Sequence, residues 1–203
     1  ICHVLRYTPF LSEVKRIIDS KELGELVSIQ HNENIGYWHF AHSYTRGNWR
    51  NSNETSPLIL AKSCHDLDIL LWLTGSKCKY ISSFGSLSHM KLESFKEHMS
   101  DRCIDCELNN TCPYSANKIY LEDDKIVRSL NAIHSNPTKE NLKKSIQDGP
   151  YGKCVYKCDN NVVDHMVSIL EFENKVSATF NLSAFTEECT RTIKLMFTHG
   201  EVG

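Results

Sequence analysis

The 203-residue sequence has no Gly-x-Gly pair among its nine glycines, and this absence excludes the common nucleotide-binding loops. A dinucleotide fingerprint and a P-loop both need closely spaced glycines, because backbone amides must approach the phosphates. A Gly-x-Ser-x-Gly elbow is also missing, which excludes the usual serine hydrolase arrangement. Any nucleotide must therefore be held mainly by another part of the protein.

The sequence also lacks an excess of either charge and any long apolar run. Lys and Arg number 23 against 25 for Asp and Glu, which leaves no basic surplus for a phosphate backbone or an anionic membrane. No apolar run approaches the roughly 20 residues that span a bilayer. The nine cysteines are an odd number spread along the chain, which favours a reducing compartment. We expect a cytoplasmic protein that binds neither nucleic acid nor membrane.

The ends of the sequence carry no boundary signal. It opens on the apolar, strand-like run Ile1-Cys2-His3-Val4-Leu5 without an initiator Met, and it stops just after the turn signal at Gly200. A length of 203 residues is ordinary for one domain with a single core. We therefore interpret the chain as a single domain, residues 1–203, of a longer protein.

Two helices are predicted in the first half of the chain. Thr8 and Pro9 precede apolar residues at helical spacing, which predicts a capped helix closed by Gly24. Residues 65–73 are rich in Leu and Ile, carry aspartates near their start and are followed by Gly75. This pattern predicts a second helix with His65 at or next to its N-terminus.

The segment between these helices mixes polar and aromatic residues. Residues 27–30 alternate as a strand, but residues 31–34 are polar on both faces, which indicates that this strand end lines a wet cleft. Residues 36–50 combine aromatic and hydrogen-bonding side chains with no regular period. We predict an irregular loop there.

A cysteine-rich insertion is predicted at about residues 88–153, where the apolar pattern weakens. Within it only residues 138–147 read as a capped helix. Strands with period-two alternation follow at residues 166–172, 176–184 and 193–197. The fold class predicted is α+β, with an open, largely antiparallel sheet and helices packed on one face. Small polar residues on the second strand face either solvent or the same face of a second subunit, namely Ser177, Thr179, Asn181 and Ser183.

The segment around His65 carries the most specific motif. His65 precedes Asp68 by three residues, and Leu71-Trp72-Leu73-Thr74-Gly75 follows. With the earlier runs Arg6-Tyr7-Thr8-Pro9 and Leu23-Gly24-Glu25-Leu26-Val27, this order resembles the Gfo/Idh/MocA oxidoreductases. The resemblance implies their C-terminal substrate and oligomerisation domain, with a preceding nucleotide-binding domain that is absent from this chain.

The resemblance implies an NAD- or NADP-dependent dehydrogenase that acts on a sugar or cyclitol hydroxyl by hydride transfer. His65 would take the hydroxyl proton or orient the alcohol, since an imidazole has an unperturbed pKa of about 6.5. Many members carry an aspartate four residues before this histidine, where the present sequence has Ala61. Lys62 would instead hold the hydroxyl or stabilise oxyanion charge. The structural alternatives are a helix cap for His65 and a solvated charge for Lys62.

Further residues have the mix of aromatic planes and fixed donors that a polyol pocket uses. For the residues of the aromatic segment, the alternative is a loop packed by its own side chains. For the pair ahead of the first C-terminal strand, the alternative is a plain salt bridge. The candidate substrate-binding residues are Arg6, Asn34, Tyr37, His39, Trp49, Arg50, Asp164 and His165.

The insertion carries Cys103-x2-Cys106-x5-Cys112, a spacing that suits a tetrahedral zinc site. Cys158 is chosen as the fourth ligand, with Cys154 and His98 as alternatives. Such an ion would be structural, because the insertion has too little apolar content to fold by packing alone. An iron-sulfur cluster and free thiols remain the other interpretations.

Three hypotheses follow for the whole protein. The leading one is a dehydrogenase that binds a small sugar or polyol and forms a homodimer or homotetramer through the open sheet face. The second is a non-catalytic, zinc-stabilised interaction or dimerisation module of the same fold, in which Ala61 marks a lost activity. The third is another redox chemistry, such as NAD-assisted glycoside cleavage.

Overall fold

A computed structural model describes residues 2–123 and 126–203, and its central element is one six-stranded sheet. The strands lie in the order β2-β3-β4-β1-β5-β6. They are β1 (Leu26–Asn34), β2 (Cys78–Ser86), β3 (His165–Phe172), β4 (Ser177–Ser183), β5 (Thr190–Phe197) and β6 (Gly200–Val202). The α-helices are α1 (Pro9–Ser20), α2 (Tyr37–Phe40), α3 (Leu58–Ala61), α4 (Cys64–Thr74) and α5 (Lys139–Asp148).

The sheet is mixed because β1 lies between two strands from the end of the chain. It pairs in parallel with β4, with His31 opposite Phe180, and antiparallel with β5, with His31 opposite Ile193. The other pairings are antiparallel. The open, largely antiparallel α+β sheet predicted from the sequence is confirmed, but β4 and β5 are not neighbours as their sequence order suggests.

The two faces of the sheet differ in burial, as the period-two patterns predicted. Alternate residues of β3 and β4 are buried, including Phe172 and Phe180, which are both fully shielded from solvent. α1 contributes its apolar stripe of Leu11, Val14 and Ile18 to the same core. The opposite face keeps large apolar side chains exposed, namely Val27, Tyr80, Phe84, Val167 and Ile169. One layer of helices therefore covers one face only.

Helix ends follow local sequence signals with one difference. α5 begins after Thr138, whose Oγ1 accepts a hydrogen bond from the backbone N–H of Asn141 at 3.2 Å. α4 ends at Gly75, which adopts a left-handed conformation with φ 60°. α1, predicted to be closed by Gly24, ends earlier, because Lys21 takes the left-handed cap position. Gly24 instead lies in the turn that leads into β1.

Three expectations from the sequence are wrong. Val4–Tyr7 is a 3-10 helix and not strand-like, while Ile1 lies outside the described residues. The predicted irregular loop contains α2 and the π-helix Ala41–Arg46, which buries its polar and aromatic residues among the core. The insertion, except for residues 124–125, which are not described, has apolar packing of its own. Its buried side chains include Ile119, Tyr120, Leu142, Ile146 and Tyr151.

None of the described helices is long and apolar enough to cross a membrane.

Candidate active site

The C-terminal half of β1 turns polar side chains toward the helices. Alternation along the strand continues the inward face of Ile29 with His31 and Glu33, which are 2% and 0% exposed. The sequence predicted a wet cleft at this strand end, whereas the structure buries both side chains. A buried charge is costly unless it is paired, so the partners of Glu33 define the site.

Arg191 on β5 joins two buried carboxylates. Its Nη2 lies 2.6 Å from Oε2 of Glu33, and its Nε donates a hydrogen bond to Oδ1 of Asp66 at 2.8 Å. Lys62 places Nζ 3.1 Å from Oε1 of Glu33, and His31 places Nε2 2.9 Å from Oδ1 of Asp66. The negative charges of Glu33 and Asp66 thus balance the positive charges of Lys62 and Arg191. We call these four residues, together with His31, the Glu33 network.

The two carboxyl groups of the Glu33 network differ in proton affinity. Burial and the neighbouring Asp66 raise the pKa of Glu33, and Lys62 and Arg191 offset only part of this. Burial also opposes the ionisation of Asp66, but hydrogen bonds from His31 and Arg191 outweigh it and lower the pKa of Asp66. Glu33 therefore takes up a proton more readily than Asp66 does.

α4 places His65 directly before Asp66 of this network in the sequence. Cys64 begins the helix, so His65 lies in the first turn, as predicted. The Nδ1 of His65 is buried and has no hydrogen-bond partner among the described residues. Its ring meets the ring of His3 edge to face at 6.2 Å. The imidazole is thus held in place by packing while a ring nitrogen is left unpaired.

Several buried polar atoms at the start of α4 have no aligned hydrogen bond within the described chain. They include Oγ of Ser63, Nδ1 of His65 and Oδ2 of Asp66. The two carboxylate oxygens of Glu33 on β1 instead form ion pairs with Lys62 and Arg191. Because folded proteins leave few buried polar atoms unsatisfied, such a concentration indicates a place for a polar ligand. A ligand rich in hydroxyls can both donate and accept there.

One predicted substrate-binding residue, His39, lies close to Lys62. Burial and the charge of Lys62 lower the pKa of His39 to about 4, so its ring is neutral near pH 7. Its Nδ1 lies 3.5 Å from Sγ of Cys189. Tyr44 adjoins the same region, where burial and Glu33 raise the pKa of its hydroxyl. The π-helix that replaces the predicted loop is what carries Tyr44 to this place.

Arg6 lies beside His65 through shared neighbours. Its guanidinium binds both carboxylate oxygens of Asp68, with Nε donating to Oδ2 at 2.7 Å. Nδ1 of His3 lies 3.6 Å from the same carboxylate. The aspartate three residues after His65 thus anchors Arg6, and the guanidinium predicted to bind substrate is already paired.

Three other candidates have partners outside the Glu33 network. Asn34 points to the outer sheet face, where its Nδ2 donates to Oγ1 of Thr190 at 3.1 Å. Arg50 binds Asp159 at 2.7 Å. Trp49 is 46% exposed. The structure does not bring these three side chains together with Lys62, and their role in substrate binding stays a prediction.

The remaining candidates lie near the insertion. The ring of Tyr37 meets that of Tyr114 at 6.2 Å. Asp164 is fully buried and accepts hydrogen bonds from the backbone N–H groups of Ser88 and His89, both at 2.8 Å. His165 places Nδ1 2.7 Å from the same carboxylate. Asp164 thus has the contacts of the salt-bridge alternative and anchors the turn that opens the insertion.

Sequence reasoning missed four members of the site, namely His31, Glu33, Asp66 and Arg191. The signal for the first two was present, because alternate polar residues in a strand that begins apolar point toward the core side. Asp66 was noted only for its favourable position in the first turn of a helix. No local pattern indicated Arg191, because it reaches Glu33 only through the pairing of β5 with β1.

The cysteines are all free thiols. Within residues 2–123 and 126–203, no three His, Cys, Asp or Glu side chains are placed as ligands of one metal ion. Cys158, the predicted fourth zinc ligand, instead donates its thiol to the carbonyl of Cys154 at 3.3 Å. It lines a cavity beside Asp159 that excludes Cys103, Cys106 and Cys112. The structure thus places Cys158 on a different cavity from the three cysteines predicted with it, and its role as a zinc ligand stays a prediction.

Comparison with known proteins identifies relatives of this chain. Residues 15–197 match the family described as "Oxidoreductase family, C-terminal alpha/beta domain", with the label GFO_IDH_MocA_C. The Bacillus subtilis (strain 168) protein YteT, whose name describes it as an oxidoreductase, is 26% identical over 132 residues. That match covers 60% of this chain but only 30% of YteT.

Solved structures show the same fold. The scyllo-inositol dehydrogenase of Lactobacillus casei, with bound NAD(H) and scyllo-inositol, superposes with a TM-score of 0.55 at 13% identity. The myo-inositol 2-dehydrogenase of Lactobacillus plantarum also gives 0.55, at 12% identity. Each match covers 98% of this chain, and it covers 39% and 40% of the two enzymes, respectively. The chain thus spans about two fifths of their length.

Proposed function

Because the chain belongs to the Gfo/Idh/MocA oxidoreductase family as its C-terminal alpha/beta domain, we propose that it is the substrate-binding and catalytic domain of an NAD- or NADP-dependent dehydrogenase. The substrate class proposed is a sugar or cyclitol, in keeping with the inositol dehydrogenases that share the fold. The observation that carries the proposal is the buried Glu33 network beside His65, with its unpaired polar atoms.

Each residue of the site has a separate role toward one substrate hydroxyl. Lys62 donates a hydrogen bond to the hydroxyl oxygen and stabilises the negative charge that grows as the proton leaves. His65 accepts that proton at an unpaired ring nitrogen. A nicotinamide cofactor, when bound, supplies the acceptor for the hydride. The neutral ring of His39 borders the same space and accepts or donates one hydrogen bond to a neighbouring hydroxyl.

Glu33 takes the place of the carboxylate that Ala61 does not supply. Its contact with Lys62 at 3.1 Å comes from β1 and not from the residue preceding the lysine. Glu33 has a raised pKa and lies next to Lys62. We expect it to take up the proton that His65 releases during turnover. Ala61 is therefore compatible with activity in this proposal, and Glu33 is assigned as the positioning and proton-holding group.

The residues of this chain do not fit a dinucleotide site of their own. The chain has no Gly-x-Gly pair, and its helix nearest the Glu33 network begins at Cys64 without a glycine-rich turn. We assign no residue here to the cofactor, and we propose that NAD or NADP is held mainly by another domain. The 203-residue chain alone is accordingly expected to bind no NADH and to be inactive. The cytoplasmic location remains part of this proposal.

The partner proposed for the outer sheet face is a second copy of the chain. Exposed apolar side chains on β2 and β3 lie on this face, with Phe84 paired opposite Val167, and with Ile169 two residues further along β3. Small polar residues of β4 continue the same face. An exposed apolar surface of this kind suits an interface between two copies of the chain.

The test uses the intact protein with NAD or NADP and a panel of cyclitols and sugars, followed by the absorbance of the reduced cofactor. For a substrate that is turned over, His65→Ala is expected to lower kcat about 10²–10⁴-fold. Glu33→Gln and Lys62→Met are expected to lower it as well. His98→Ala changes an exposed histidine of the insertion and serves as the matched control. Full turnover by His65→Ala would refute its role as the base, whereas no turnover of any panel substrate by the wild type would support the non-catalytic module.

A further inference from the structure

The insertion holds a buried cation without a negative partner. Arg46, at the end of the π-helix, is 2% exposed. Its Nε donates to the carbonyl of Lys153 at 2.8 Å, and its Nη2 donates to the carbonyl of Tyr114 at 2.7 Å. Its remaining nitrogen, Nη1, is buried and has no hydrogen-bond partner among the described residues. Among the described residues no carboxylate forms an ion pair with Arg46, although a buried guanidinium normally needs one.

Besides these carbonyl groups, the guanidinium contacts a cysteine thiol. Nη2 of Arg46 lies 3.4 Å from Sγ of Cys103. Arg46 also lines a small cavity of about 20 Å³ with four cysteines, and the space is large enough for about one water-sized particle. The four are Cys103, Cys106, Cys112 and Cys154.

The fold fixes these cysteines around the cavity even though they are far apart in sequence. The backbone N–H of Cys154 donates to the carbonyl of Asp101 at 2.8 Å, and Arg102 forms a β-bridge with Lys153. These contacts hold Cys154 against the loop that carries Cys103 and Cys106. A tight turn brings Cys112 to the same cavity. The backbone N–H of Cys112 donates a hydrogen bond to the carbonyl of Leu108 at 2.8 Å in this turn.

We propose that Cys103, Cys106, Cys112 and Cys154 bind one structural zinc ion beside Arg46. On binding, the four thiols lose four protons to solvent, and Zn²⁺ with four thiolates carries a net charge of −2. Arg46 then has the counter-charge that its burial requires. The thiols are not yet arranged as ligands, and turning a thiol between rotamers moves its sulfur by about 3 Å without moving the backbone.

This centre differs from the one expected from sequence spacing. Spacing favoured Cys158 as the fourth ligand, whereas the cavity assigns that position to Cys154. The ion also does not create the insertion's core, since that core is already packed with aliphatic and tyrosine side chains. Its role is to lock the loop of residues 101–115 against residues 153–156. The proposal stands independently of the dehydrogenase activity.

The experiment measures metal content of the intact protein purified without chelator. Wild type and Cys158→Ser are expected to hold the same amount of zinc, while Cys154→Ser is expected to lose one equivalent. His98→Ala tests the remaining alternative ligand and is expected to keep the zinc. Loss of zinc in Cys158→Ser, unchanged zinc in Cys154→Ser, or iron with acid-labile sulfide in the wild type would overturn the assignment.

Two further measurements keep the proposal open to refutation if Cys154→Ser does not fold. Cobalt-substituted wild type is expected to show the strong visible bands of a tetrahedral thiolate site, and an octahedral spectrum would contradict it. Arg46→Gln is expected to weaken zinc binding about 10–100-fold in a chelator competition, because it removes the charge beside the thiolates. Arg46→Lys keeps the charge and is the matched control. Equal affinity in Arg46→Gln and wild type would refute the charge argument.

Discussion

Replacing Arg191 by methionine tests whether the Glu33 network is held by charge. Methionine keeps much of the side-chain length but removes the cation that lies 2.6 Å from Glu33 and 2.8 Å from Asp66. Both carboxylates are 0% exposed, so neither gains water in compensation. Lys62 remains as the single cation next to Glu33, and Asp66 keeps only His31.

The expected cost is about 3 kcal/mol in the free energy of unfolding at pH 7, at the lower end for breaking a buried pair because the Arg191 side chain is 28% exposed. For a domain of this size this corresponds to a fall in Tm of about 6–12 °C. Removing the cation raises the pKa of both carboxyl groups. The stability deficit is therefore full at pH 7 and shrinks as the pH falls through the range in which the two carboxyl groups take up protons.

The measurement is urea unfolding of wild type and Arg191→Met at pH 7 and pH 4.5. Adding Glu33→Gln to Arg191→Met is expected to recover about 1 kcal/mol or more, because it removes one of the stranded charges. Arg16→Met is the matched control, since Arg16 pairs with Glu13 on the exposed face of α1 and both are more than half exposed. A deficit below about 1 kcal/mol, or one that is equal at both pH values, would refute the reasoning.

Other predictions address the cap, the sheet face and the insertion turn. Thr138→Ala is expected to lower stability by about 1 kcal/mol through loss of the α5 cap, with Thr138→Ser near wild type in thermal unfolding. Phe84→Glu is expected to halve the mass measured by light scattering, with exposed Leu92→Glu unchanged as control; an unaltered mass would contradict the proposed interface. Asp164→Asn is expected to raise hydrogen exchange at the amides of Ser88 and His89 while exchange in α5 stays the same, and equal protection in both proteins would contradict the anchoring role.

Local signals in the sequence were sufficient for α1, α4, α5 and the C-terminal strands. Thr8, Pro9 and Gly75 mark helix ends through backbone preferences that act within a few residues. Period-two patterns gave the C-terminal strands, because one sheet face is buried and the other is not. The position of His65 in the first turn of α4 follows from the same kind of signal.

Long-range pairing was beyond what the sequence can predict. Glu33 and Arg191 meet because β1 and β5 are neighbours, and no local pattern specifies that neighbour. The prediction of an irregular loop at residues 36–50 was wrong for a related reason. Its residues lack a helical period because they are buried on several sides, among the sheet, the insertion and α4, so burial does not follow one stripe.

The position of β1 between β4 and β5 has a consequence for how the protein is made. β1 leaves the ribosome about 150 residues before the strands that flank it, so its backbone amides and carbonyls stay unpaired during most of synthesis. Pairing segments that are so distant in sequence has a high entropic cost of loop closure, and this slows folding. The Glu33 network therefore forms only after β5 has been synthesised, and a chain that ends before Thr190 has all five α-helices but lacks the cation shared by Glu33 and Asp66.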